Sequence, residues 1–148
     1  MTVDMLDDIL NDFDWENFRA LSREICGINE NNLSDEMVKL PNTYVQWYQL
    51  LARARKRMDV RNAELNKISA ELNKECQTTY SNKGKKATAR DMESYVCSHE
   101  SFLECNRSVY EAREVYEMVK SVVNAISHKK DMLVQFNSDR RAETKLYN

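Results

Sequence analysis

The sequence predicts an all-α fold: an antiparallel hairpin of two long, coiled-coil-like helices, preceded by a short acidic helix. Three observations predict it. Two glycines and one proline in 148 residues are too few turn formers for a sandwich, a barrel or a doubly wound sheet. Apolar residues recur every seven positions along two long stretches. Charged residues reach 31% and the mean hydropathy is −0.71, a composition suited to amphipathic helices and poor in material for a thick core.

Residues 4–21 read as an acidic amphipathic helix. Leu6, Ile9, Leu10 and Phe13 fall at i, i+3, i+4 and i+7, and Phe18 and Leu21 continue that face. Acidic residues crowd its start, where the helix dipole favours them. Gly27 and Asn29-Glu30-Asn31-Asn32 are expected to end it. Residues 33–40 supply one or two further turns, and Pro41 suits the first turn of the next helix.

The first long helix is expected over residues 42–76. Tyr44, Leu51, Met58, Leu65 and Leu72 mark its seam, with Trp47, Ala54 and Ile68 three positions later. At 1.5 Å per residue it spans on the order of 50 Å. Residues 77–88 read as a loop in which Asn82 and Gly84 can take positive φ. Thr88 and Asp91 match a capping box that opens the second long helix, expected over residues 89–136. Its seam is Tyr95, Phe102, Val109, Tyr116 and Val123, joined by Ser98, Cys105, Ala112, Val119, Ile126 and Leu133. The polar tail after Asn137 is expected to fray. The chain thus divides into an acidic amphipathic segment, residues 1–30, and a helical-hairpin domain, residues 31–148.

Val115, Met118 and Val122 widen the apolar face of the second helix beyond one seam. An isolated hairpin leaves that surface wet, so it is expected to be covered by other subunits or by the N-terminal segment.

Charge is segregated. Residues 1–40 hold ten acids against three basic residues, whereas residues 52–90 hold eleven basic residues against four acids. The net charge of −2 conceals this asymmetry. On a helical wheel Arg53, Lys56, Lys67 and Lys74 share an arc opposite the seam, with Arg57 nearby. The loop adds Lys83, Lys85, Lys86 and Arg90, with Tyr80 among them. Phosphates attract such a stripe, and an aromatic ring can stack an unpaired base, so a nucleic acid is one candidate ligand. A solvated helix face with Glu64 and Glu71 interspersed is the competing reading of the charges alone.

Enzyme chemistry is not expected. No nucleophile–base arrangement, Gly-rich phosphate loop or acidic metal motif is visible. Cys97, His99 and Cys105 lack the paired spacing of a zinc site, and no cofactor or metal is expected. The four cysteines follow no disulfide spacing and read as reduced. No signal peptide or membrane span is apparent, so a cytoplasmic location is expected.

The layout resembles the UvsY family, recombination mediators of tailed phages, over residues 30–140. The resemblance is carried by Leu40-Pro41-Asn42-Thr43-Tyr44-Val45-Gln46-Trp47-Tyr48 opening a basic helix, then Tyr80-Ser81. A second helix follows with Asp91-Met92-Glu93-Ser94-Tyr95, ending in Ala125-Ile126-Ser127-His128-Lys129-Lys130. It implies a phage protein in the bacterial cytoplasm, forming a ring-like hexamer or heptamer. Such a ring binds single-stranded DNA and helps load a RecA-like recombinase onto DNA coated with single-stranded-DNA-binding protein. The family's DNA contacts include a Lys and an Arg two residues apart before the tyrosine-containing turn. Here Lys74 matches the lysine, and Cys76 stands where the family has the arginine. A coiled-coil adaptor or chaperone-like protein without a DNA role is the alternative.

Overall fold

A computed structural model describes residues 14–146. Every regular element among them is helical: α1 (Trp15–Cys26), α2 (Leu33–Asn82), α3 (Ala89–Ser98) and α4 (Glu100–Leu146), with a single 3₁₀ turn at Glu30–Asn32. The residues Leu6, Ile9, Leu10 and Phe13 lie outside the described part. The chain forms two compact units: residues up to Ala54 together with those from Val115 onward, and Arg55–Glu114.

In the first unit, three helices bury one core. Phe18 from α1, Trp47, Leu50 and Ala54 from α2, and Val119, Val122, Val123 and Ile126 from α4 form it. The Phe18 and Trp47 rings meet edge to face, with centroids 5.9 Å apart. Asp14 starts α1 by accepting the Glu16 N–H at 2.9 Å. Gly27 ends it, as the sequence predicts, its N–H reaching the Arg23 carbonyl at 3.0 Å. The buried arc of α2 is rotated from the expected seam. Tyr44 is 38% exposed, while Trp47, Leu50 and Ala54 are sealed. A third helix on that flank draws the buried arc toward itself.

The same packing covers part of the wide apolar face of α4. Val122 is 4% exposed within this core, and Val115 and Met118 pack against it together with Leu21, Ile25 and Cys26 of the N-terminal region. Of the three residues expected at an oligomer interface, Val122 is thus buried within the protomer, while Val115 and Met118 stay partly exposed.

In the second unit, Leu72, Cys76, Val96, Val109 and Ala112 are buried. Arg61 to Glu71 of α2 and Ser101 to Ser108 of α4 line a shared cleft. All four cysteines are free.

Five boundaries differ from the sequence expectation. The first helix, expected over residues 4–21, is broken at Asp14, whose extended backbone and side chain cap α1, and it runs on to Cys26. Pro41 lies inside α2 rather than at its start. It leaves the Met37 carbonyl without its i+4 donor, at a usual cost of about 3 kcal/mol. Burial of Leu33 at 7% exposure and an ion pair at Glu36 anchor the turns before it. Residues 77–82 are helix, not loop. Thr78 and Thr79 hydroxyls bond back to the Lys74 and Glu75 carbonyls at 2.9 Å, so they do not compete for the chain end. The second long helix is interrupted at His99, whose backbone is extended and whose carbonyl accepts the Phe102 and Leu103 N–H groups. Finally, α4 continues past Asn137 to Leu146. Leu133 is 1% exposed, and the Asn137 amide donates to Met37 Sδ at 3.4 Å, tying this stretch to α2.

Candidate nucleic-acid interface

The second unit carries most of the basic residues singled out in the sequence. Between Arg55 and Arg90, ten Lys and Arg stand against four acids; between Asp91 and Glu114 the balance reverses to two against six. One unit therefore has a cationic α2 and tip, followed by an anionic α3 and early α4. Lys56, Arg57, Lys67, Lys74, Lys83, Lys85, Lys86 and Arg90 are all exposed. On the wheel Lys56 and Lys74 lie opposite Leu72 and Cys76, whereas Lys67 also lines the cleft between α2 and α4. Arg53 is exposed too but belongs to the first unit.

Partial neutralisation is visible along the stripe. Lys67 lies 4.0 Å from Glu71, and Arg61 pairs with Glu64 at 2.8 Å. Both pairs are solvent-exposed and hold their cations only weakly. The Glu64 contacts raise the Arg61 guanidinium above its ordinary value, so its charge is permanent.

The tip is a short, closed loop. Residues 83–88 separate α2 from α3. The Lys83 and Lys85 N–H groups both donate to the Tyr80 carbonyl at 3.0 Å, and the Gly84 N–H donates to Ser81 at 2.9 Å. Gly84 takes φ +67°, the left-handed conformation a helix C-terminus uses. Asn82, the other candidate, does not. At the far side the expected capping box is present: Thr88 accepts the Asp91 N–H at 3.2 Å, and the Asp91 carboxylate accepts the Thr88 N–H at 2.9 Å.

Tyr80 sits at the end of α2, half-buried, rather than in the loop. The negative charge of Asp91 opposes its ionisation and raises its phenol above the ordinary value. Tyr95 is raised as well, first by burial and then by its hydrogen bond to Glu75. Sequence reasoning misses the more exposed tyrosines as candidate stacking residues. Tyr44 and Tyr48 stack at 6.0 Å in the first unit, and Tyr110 is 58% exposed beneath Arg113. Heptad spacing marks Tyr44 as core, which hides it.

The Asp91 carboxyl is held below its usual range, first by the Thr88 hydroxyl and then by the Thr88 backbone N–H. A depressed folded-state value means the capping box contributes its stability above the unfolded carboxylate value of about 3.9 and loses it as pH falls through the folded value. Melting temperature measured between pH 6 and pH 2 should therefore fall less steeply for Asp91→Asn than for the wild type. Parallel curves would show that this carboxylate does not contribute.

Among the described residues, no group of three or more His, Cys, Asp or Glu is placed to hold a metal ion. No helix among them is long and apolar enough to cross a membrane. Compared with known proteins, the chain matches no family model, no curated protein and no solved structure.

Proposed function

We propose that this protein is a UvsY-like recombination mediator. In this reading it binds single-stranded DNA as a homo-oligomer and helps load a RecA-like recombinase in place of single-stranded-DNA-binding protein. The observation that carries the reading is the exposed cationic face of the second unit, running from Lys56 to Lys74 and ending in the Lys83-Gly84-Lys85-Lys86 loop. A row of exposed cations releases counterions when it meets a phosphate chain, so binding is strong at low salt and indifferent to sequence. Several copies on one strand make the later contacts intramolecular and multiply the affinity. The resemblance in layout supports the recombinase and the ring as partners.

The alternative is an adaptor with no DNA role. It is favoured by an open apolar groove in the first unit, lined by Met37, Leu40, Pro41, Tyr44, Leu133 and Val134. Val134, which lines it, is more than half exposed, as are Val45 and Tyr48 of α2.

Fluorescence anisotropy with labelled oligo-dT separates the two. Changing Lys67, Lys74, Lys85 and Lys86 together to alanine is expected to weaken binding by about tenfold or more. The slope of log Kd against log[salt] should flatten by roughly 0.7 for each phosphate that is no longer neutralised. Far-UV circular dichroism should stay helical. Unchanged affinity and slope would remove this face as the DNA site, and no binding by the wild type would leave the adaptor reading.

A further inference from the structure

Four cations crowd the tip: Lys83, Lys85, Lys86 and Arg90. Like charges this close repel, and a loose loop would scatter them. A nucleic acid binding such a loop must first order it, which subtracts from the affinity. The structure instead holds the loop at both stems. On the α2 side, Gly84 and the doubly accepting Tyr80 carbonyl close the helix end. On the α3 side, a single acid does most of the closing. The Asp91 carboxylate accepts from the Thr88 N–H at 2.9 Å and from the Thr88 hydroxyl at 2.7 Å, while the Asp91 N–H returns to that hydroxyl oxygen at 3.2 Å. Arg90 precedes Asp91 directly in sequence, and Lys86 lies two residues before Thr88.

Asp91 therefore has two opposed relations to a bound anion. As a charge, it repels phosphate. As a hydrogen-bond acceptor, it fixes the end of the loop that presents the lysines. We propose that the second relation dominates: Asp91 and Thr88 are positioning residues for single-stranded DNA, an anion built into a cationic surface because it orders that surface. The inference rests on the DNA-binding reading above.

The opposed signs make the test decisive. Oligo-dT binding by the full chain is measured across a salt series for the wild type, Asp91→Ala, Asp91→Glu and Thr88→Val. Asp91→Ala removes a negative charge beside the loop, so electrostatics alone predicts tighter binding. Positioning predicts binding about three- to tenfold weaker, because loop ordering now accompanies each binding event. Thr88→Val leaves every charge in place and is expected to weaken binding similarly. Asp91→Glu, which retains a carboxylate suited to a capping box, is expected to restore most of the affinity. The salt slope should stay at its wild-type value throughout, since the same cations meet the DNA. Tighter binding by Asp91→Ala, or wild-type affinity in Thr88→Val, would overturn the proposal while leaving the DNA reading intact. If the wild type does not bind oligo-dT, the DNA reading fails first and the positioning role fails with it.

Discussion

Trp47→Ala is expected to destabilise the chain by about 3–5 kcal/mol, the usual cost of removing a large buried aromatic. Trp47 is fully buried in the first unit, meets Phe18 edge to face, and lies in the core where α1, α2 and α4 come together. Deleting it removes the edge-to-face pair and leaves a cavity that three separate helices must collapse to fill. The indole also carries an unusual burden. Its Nε1–H is buried with no hydrogen-bond partner among the described residues, a desolvation cost of about 1–3 kcal/mol already present in the native state. Trp47→Phe removes that orphan donor along with part of the ring volume, and the two effects oppose each other. Urea unfolding should therefore show Trp47→Phe within about 1.5 kcal/mol of wild type. A Trp47→Phe loss as large as that of Trp47→Ala would show that a benzyl ring cannot replace the indole and that removing the unpaired N–H brings no gain.

Much of this architecture is legible in the sequence, and several of the illegible parts share a cause. The α4 seam reads correctly because Ala112, Val119, Ile126 and Leu133 pack at a strict seven-residue spacing and are all buried. Gly27, Gly84 and the Thr88–Asp91 box mark their boundaries because each acts locally, through one backbone conformation or one cap. The boundaries misread at Pro41 and after Asn137 depend on contacts distant in sequence. Nothing within Ser98-His99-Glu100 signals a helix break by composition. Pro41 and the polar stretch after Asn137 look like helix ends until the packing of α2 against α4 is known. The rotated seam at Tyr44 has the same origin, since heptad spacing describes two helices and a third displaces the buried arc. At the candidate interface, the exposure of the lysines follows from the wheel. The role of Asp91 does not, because a capping box reads as helix punctuation until its place beside four cations is considered.

Glu36→Gln is expected to be more damaging than Lys129→Met, although the two substitutions break the same ion pair. The sequence marks Lys129 only as a lysine beside His128 and Lys130, yet it is the one charged residue buried among those described, at 6% exposure. Its ammonium lies 2.6 Å from Glu36 at the start of α2 and donates to the Ile25 carbonyl at 2.9 Å. That carbonyl belongs to the last turn of α1, where helix carbonyls lack intrahelical donors and a cation is favoured by the helix dipole. One side chain of α4 thus fastens the end of α1 to the beginning of α2. The asymmetry follows from burial. Glu36→Gln strands a buried ammonium with only dipolar partners, which is expected to cost roughly 3 kcal/mol. Lys129→Met keeps the apolar stem in place and strands a carboxylate that is 27% exposed and can rehydrate. It also leaves the Ile25 carbonyl unpaired, so a loss of about 1–2 kcal/mol is expected. The double variant should be more stable than Glu36→Gln alone, because it removes the stranded charge. Urea denaturation of the two single variants and the double variant checks the order. Equal losses for the single variants, with a double loss equal to their sum, would show that the two groups act independently and that Lys129 is no clamp.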